Sequence, residues 1–147
     1  EGAVQWAISI ADNPSHGYDQ ITRDGGVDFD CSSFVSWAFR ENGFEVPWPS
    51  PSTYSMRSIF QGLGFQWIPG NPSADQLVRG DIVLFEGSQL QGTGHVELYI
   101  GQQQLVGAHI NEFGGIYYGQ PGDQTGNEIS VGPYYRGSWN GALRWNG

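Results

Sequence analysis

Apolar residues recur at helical spacing near the start of the chain: Val4, Ala7, Ile8 and Ala11 share one face of a helix predicted over about residues 3–12, ending before Asn13-Pro14. A loop with Gly17, Gly25 and Gly26 follows. A second stripe, Cys31, Phe34, Val35, Ala38 and Phe39, predicts a helix from Cys31 to about Asn42, with Asn42-Gly43 as its stop. The prolines from Pro47 to Pro51 force an irregular connection, and Met56, Ile59 and Phe60 mark a shorter helix over about residues 53–62. From about residue 80 the period changes to that of strands. Ile82-Val83-Leu84-Phe85 is a short apolar run, and His95 to Ile100 alternates. Leu105 to Ile110 is the expected hairpin partner across Gly101 to Gln104. Ile116 to Tyr118, Glu128 to Val131 and Ala142 to Trp145 are weaker strand candidates. Helices first and a meander of strands afterwards indicate an α+β fold with an antiparallel sheet.

Composition narrows the reading to one domain over residues 1–147, with no internal repeat, low-complexity tract or linker. A hydrophobic content of 38%, with 14% aromatic residues, is enough for a real core, and 23 glycines with 8 prolines imply many tight turns. The net charge of -9, from 6 basic against 15 acidic residues, argues against phosphate backbones and anionic membrane or teichoic-acid surfaces as partners. No apolar run is long enough to span a bilayer. The start, Glu1-Gly2-Ala3-Val4, is neither an initiator Met nor a signal peptide, which fits a processed or excised domain. A single Cys rules out an intrachain disulfide and a thiolate-rich metal site.

That cysteine stands in Asp28-Phe29-Asp30-Cys31-Ser32-Ser33-Phe34, at the start of the second helix. There the free backbone N–H groups and the helix dipole favour thiolate over thiol, and the same N–H groups can stabilise an oxyanion. The plainer alternative is a small buried residue on an apolar stripe. Gly94-His95-Val96-Glu97-Leu98-Tyr99-Ile100-Gly101 puts an imidazole at the first residue of a strand, where it can take a thiol proton and later protonate a leaving amine. The alternative is an ordinary edge-strand histidine.

Asp30-Cys31-Ser32-Ser33, then Arg79-Gly80-Asp81-Ile82-Val83-Leu84-Phe85, then Gly94-His95-Val96 with Tyr99-Ile100-Gly101, together resemble the NlpC-type cell-wall peptidases. These are papain-like cysteine hydrolases of peptidoglycan. His16-Gly17-Tyr18 and the glycine-rich tail after His109 are most similar to the bacteriophage lysin branch, and the resemblance covers roughly residues 3–145. It implies N-terminal helices, the nucleophile at a helix N-terminus, packed on a small antiparallel half-barrel. It further implies cleavage in the stem peptide, commonly after D-γ-glutamate, with muramoyl-L-alanine amidases among the relatives, and no metal or organic cofactor. Cys31 and His95 are then nucleophile and base, and Tyr18, Asp30 and Ser32 line the oxyanion and substrate site. The chain departs from the family at the third catalytic position, which falls on Gly107 and has no side chain to orient an imidazole. His109 is the expected orienter, since it shares that strand face, with Asn111 as the alternative and Glu112 a weaker one.

Three features compete for attention. Arg79-Gly80-Asp81 spells an integrin tripeptide but is read as a structural turn. Asp24, Asp28 and Asp30 lack the later ligands of a calcium loop. Trp37, Trp48, Trp67, Tyr117, Tyr118, Tyr134, Tyr135 and Trp139 are expected to be mostly core, with one or two lining a substrate groove. The expectation is a monomeric catalytic module of a larger protein, working outside the cytoplasm on bacterial peptidoglycan as a phage lysin, a tail-associated enzyme or a secreted one. Its rivals are a muramoyl-L-alanine amidase with the same machinery, a non-catalytic wall-binding module, and a toxin delivered between cells.

Overall fold

A computed structural model describes residues 1–12, 31–47, 50–86, 94–108, 129–135 and 139–145. Helices α1 (Gly2–Ala11), α2 (Cys31–Arg40) and α3 (Thr53–Gly62) precede strands β1 (Phe65–Pro69), β2 (Ile82–Phe85), β3 (His95–Gly101), β4 (Gln104–Ala108), β5 (Ile129–Pro133) and β6 (Gly141–Trp145). All three predicted helices are present, and the α+β class holds. α2 stops two residues short of Asn42 because the chain turns into Gly43 at φ +93°, with the Phe44 N–H donating back to the Phe39 carbonyl.

The strands form one antiparallel sheet in the order β1-β6-β2-β3-β4-β5. Two expectations are corrected here. Strands begin at Phe65 rather than near residue 80: Phe65 is buried and Gln66 exposed, but Trp67 and Ile68 are both partly covered, which blurs the period-two signal. Pro69 is tolerated because β1 is an edge strand. Nor is the sheet a plain meander, since β6 inserts between β1 and β2 and pairs with both.

The core lies between the helices and one sheet face. Val4 and Ala7 of α1, Phe34, Val35 and Ala38 of α2, and Met56 and Phe60 of α3 meet Ile82, Leu84, Val96, Leu98, Val106 and Leu143. Phe39, Phe60 and Phe65 pack edge to face, with ring centroids 5.1–5.7 Å apart. The other sheet face carries a smaller cluster that includes Val83, Tyr99, Leu105 and Trp139. Along β3, Val96, Leu98 and Ile100 therefore point to the helices, and His95, Glu97 and Tyr99 to the opposite face.

The β3–β4 hairpin turns through Gln102 and Gln103, both at positive φ (53° and 60°), as a two-residue loop matching strand twist requires. Arg79-Gly80-Asp81 is a structural turn, as expected. Gly80 adopts φ +101°, and the buried Asp81 carboxylate accepts from the Val78 N–H and from Arg144 of β6.

Candidate active site

Cys31 is the first residue of α2 and packs, partly exposed, against the edge of the main core. Its helix is anchored by the buried Phe34, Val35 and Ala38 below it, so the thiol is held at the N-terminal end where helix N–H groups are directed. Ser32 and Ser33 follow it, both buried in the first turn of α2.

His95 is the first residue of β3 and pairs in register with Phe85 of β2. Gly94 delivers the chain to it at φ +130°, and a Cβ there would stand 2.1 Å from the Thr53 hydroxyl oxygen. The imidazole is about one quarter exposed. Trp139 covers it, with ring centroids 6.0 Å apart and planes 23° from parallel. The Trp139 indole N–H donates to the Tyr135 carbonyl at 3.0 Å, fixing the covering ring.

Nε2 of His95 lies 3.1 Å from Oε2 of Glu97, which is 1% exposed. The Tyr135 hydroxyl donates to that same oxygen. Burial first, then the hydrogen bond to Glu97 and its negative charge, push the Tyr135 pKa well above the usual phenol range, so the hydroxyl remains a donor. The charge on Cys31 adds to that upward push, which sets the thiol within electrostatic reach of Tyr135. Tyr135, Glu97 and His95 thus form one hydrogen-bonded cluster, and Cys31 stands at the start of α2, the helix that packs against β3.

Tyr18, Asp30, His109 and Asn111 lie outside the described residues, as do Glu112 and the trio Asp24, Asp28 and Asp30. Among the described residues, no group of three His, Cys, Asp or Glu side chains is placed to hold a metal ion. Glu97 was missed as a site residue, although it sits two positions from His95 on a strand and so must share its face. Tyr135 and Trp139 had no local signal, being some forty residues further along the chain. Trp139 is buried beside the imidazole, whereas Trp37 and Trp67 lie under Arg40 and Arg57 at 4.7 and 4.8 Å. Trp48, Tyr117 and Tyr118 lie outside the described residues. A cavity of about 290 Å³ opens elsewhere, between the start of α1 and the Arg79–Asp81 turn, and none of these site residues lines it.

A cysteine begins a helix packed on an antiparallel sheet, and a histidine begins the strand that this helix packs against. The chain belongs to the NlpC/P60 family, whose model matches residues 15–140. The peptidoglycan DL-endopeptidase CwlO of Bacillus licheniformis is 31% identical over 151 residues, covering 98% of this chain and 27% of that protein. The probable endopeptidase p60 of Listeria welshimeri is 31% identical over 88 residues, 60% of this chain and 14% of that protein. The chain therefore spans little more than a quarter, or less, of these relatives. Among solved structures, the peptidoglycan hydrolase RipB from Mycobacterium tuberculosis superposes with a TM-score of 0.55 at 21% identity, over 97% of this chain and 63% of that one. RipD of the same organism, described as a non-catalytic NlpC/p60 domain protein adapted to peptidoglycan binding, gives 0.57 at 17% identity, over 99% and 98%. At such identities the likeness is one of fold.

Proposed function

We propose that the chain is a cysteine-dependent hydrolase of peptidoglycan that cuts an amide bond in the stem peptide, of the D-γ-glutamyl endopeptidase type. The observation that carries this reading is Cys31 at the first residue of α2, a helix packed on β3, whose first residue is an imidazole held by a buried carboxylate. The Cys31 sulfur attacks the scissile carbonyl carbon as the thiol proton passes to His95, and backbone N–H groups at the helix start face the developing oxyanion. The C–N bond then breaks, with the proton on His95 going to the leaving amine. Water, deprotonated by His95, releases the acyl group and restores the thiol. The endopeptidase name of CwlO supports the choice of bond. Action outside the cytoplasm follows from the substrate, and the likeness of His16-Gly17-Tyr18 to phage lysins supports a lytic role.

Digestion of purified walls with mass analysis of the products tests the bond: cleavage inside the stem supports the endopeptidase, and peptides with a free N-terminal L-Ala assign it as the amidase. Cys31→Ser should abolish release while leaving the melting temperature near wild type, and iodoacetamide should inactivate in proportion to Cys31 labelling. Full activity in Cys31→Ser would overturn the mechanism. The RipD likeness favours a second reading, a wall-binding module that retains the fold; wall binding with no fragment release by the wild-type chain would establish it.

A further inference from the structure

Two carboxylates are buried among the described residues, Asp81 and Glu97. Asp81 is answered by Arg144, but Glu97 is set against a histidine and a tyrosine. The β3–β4 register pairs Leu98 with Val106, and continuing it by one residue puts Gly107 across from Glu97. A Cβ on Gly107 would lie 2.7 Å from Cγ and 2.8 Å from Oε1 of Glu97, closer than side-chain atoms approach one another. The carboxylate therefore occupies the space that any other residue at 107 would fill.

We propose that Glu97 is the positioning residue for the His95 imidazole, and that residue 107 is glycine because its missing side chain leaves room for that carboxylate. This rests on the hydrolase reading above and adds to it the group that orients the base. An ionised carboxylate can only accept hydrogen bonds, so the His95 Nε2 facing it carries the proton and the basic lone pair is on Nδ1. Nδ1 is then the nitrogen that takes the thiol proton. Once His95 is doubly protonated, the same carboxylate stabilises its positive charge next to the thiolate. The Tyr135 hydroxyl, donating to the oxygen that contacts Nε2, keeps the carboxylate from rotating away. Gly107, which as a sequence position offers nothing to the imidazole, is the complement of a partner brought from the imidazole's own strand.

The test compares Glu97→Ala, Glu97→Gln, Gly107→Ala and the exchange Glu97→Gly with Gly107→Glu, using soluble muropeptides from walls the enzyme digests. Glu97→Ala should lower kcat by about 100-fold while KM stays within about threefold, because the base remains but spends little time in the productive tautomer. Glu97→Gln, whose amide oxygen still accepts from Nε2, should recover part of that loss. Gly107→Ala, whose added methyl meets Glu97 first, should lower kcat roughly tenfold by displacing the carboxylate. The exchange should be more active than either of its single changes, since it returns a carboxylate to the same space from the neighbouring strand. Should Glu97→Ala not fold, Glu97→Gln and Gly107→Ala decide the matter. Wild-type kcat in the folded Glu97→Ala protein would overturn the proposal, and a collapse in His109→Ala or Asn111→Ala beside it would assign the role there. Cys31→Ala, measured in parallel, separates the two levels. An active Cys31→Ala overturns the cysteine-nucleophile mechanism on which the proposal rests, whereas an inactive one beside a fully active Glu97→Ala removes only the role of Glu97.

Discussion

Tyr135 and His95 meet at one oxygen of Glu97, so a change to either side of that oxygen is transmitted to the other. Tyr135→Phe removes the hydroxyl and leaves the ring against Trp139, whose centroid is 5.4 Å away. The expected result is a kcat lowered about three- to tenfold with a melting temperature lower by several degrees, because the lost hydrogen bond is to a buried ionised carboxylate and is worth about 1.5–3 kcal/mol. Steady-state kinetics beside a thermal melt would check both halves of that statement, and an unchanged kcat would mean that Glu97 holds its pose without help. At this scale the places of Cys31 at a helix start and of His95 at a strand start were legible in the sequence, because each sits in a short local pattern: a small polar stretch for Cys31, and a glycine before an alternating strand for His95. Glu97 was legible in principle, since two residues on a strand always share a face. The family resemblance points away from it, because it places the orienting position on the neighbouring strand, at Gly107 and beyond. Tyr135 and Trp139 reach the imidazole through tertiary folding alone, and no spacing rule points to them.

The elements differ in how strictly they hold the site. α2 is fixed by Phe34, Val35 and Ala38 at 0% exposure, and β3 enters the sheet through one glycine whose conformation and clearance both exclude a side chain. Gly94→Ala should therefore misplace the start of β3, lowering activity much more than its neighbour Val96→Ala does per degree of melting temperature lost. Equal losses at equal stability would show that Gly94 serves the fold and not the imidazole. Phe60 joins α3 to α2 and β1 through Phe39 and Phe65. Phe60→Ala should destabilise by about 3–5 kcal/mol, a drop on the order of 10 °C in melting temperature for a domain of this size. Calorimetry would read it directly. The three helices and the β3–β4 hairpin were legible because their apolar periods are strong and end in recognisable stops, such as Asn42-Gly43. β1 was not: two partly covered neighbours, Trp67 and Ile68, broke its alternation, and a terminal proline argued against a strand unless the edge position was known.

For the molecule as a whole, the pair Asp81–Arg144 links the turn before β2 to the last strand, with the carboxylate 1% exposed. The hydrogen bond that Arg144 donates to Asp81 raises the Arg144 pKa further, so the guanidinium stays charged at any pH the fold survives. Removing the acid leaves that cation unanswered. Asp81→Ala should cost about 3 kcal/mol, read as a melting temperature lower by roughly 6–12 °C, and Arg144→Met with Asp81→Asn should recover part of it. A second expectation, which rests on the proposed cysteine mechanism, is that EDTA leaves wall hydrolysis unchanged, since a thiol nucleophile needs no metal. Lost turnover restored by one added metal would direct attention to Asp24, Asp28 and Asp30.

The insertion of β6 between β1 and β2 has a consequence in time as well as in space. β1 and β2 are neighbours along the chain, yet β1 reaches the rest of the sheet only through a strand that ends at residue 145. A chain emerging from the ribosome has made Cys31, His95 and Glu97 well before the strand that joins the two parts of the sheet. The ring that covers the imidazole, Trp139, also arrives late. The candidate site residues on α2 and β3 are thus synthesised before the strand that ties β1 into the sheet, and that long-range pairing waits for both partners to exist.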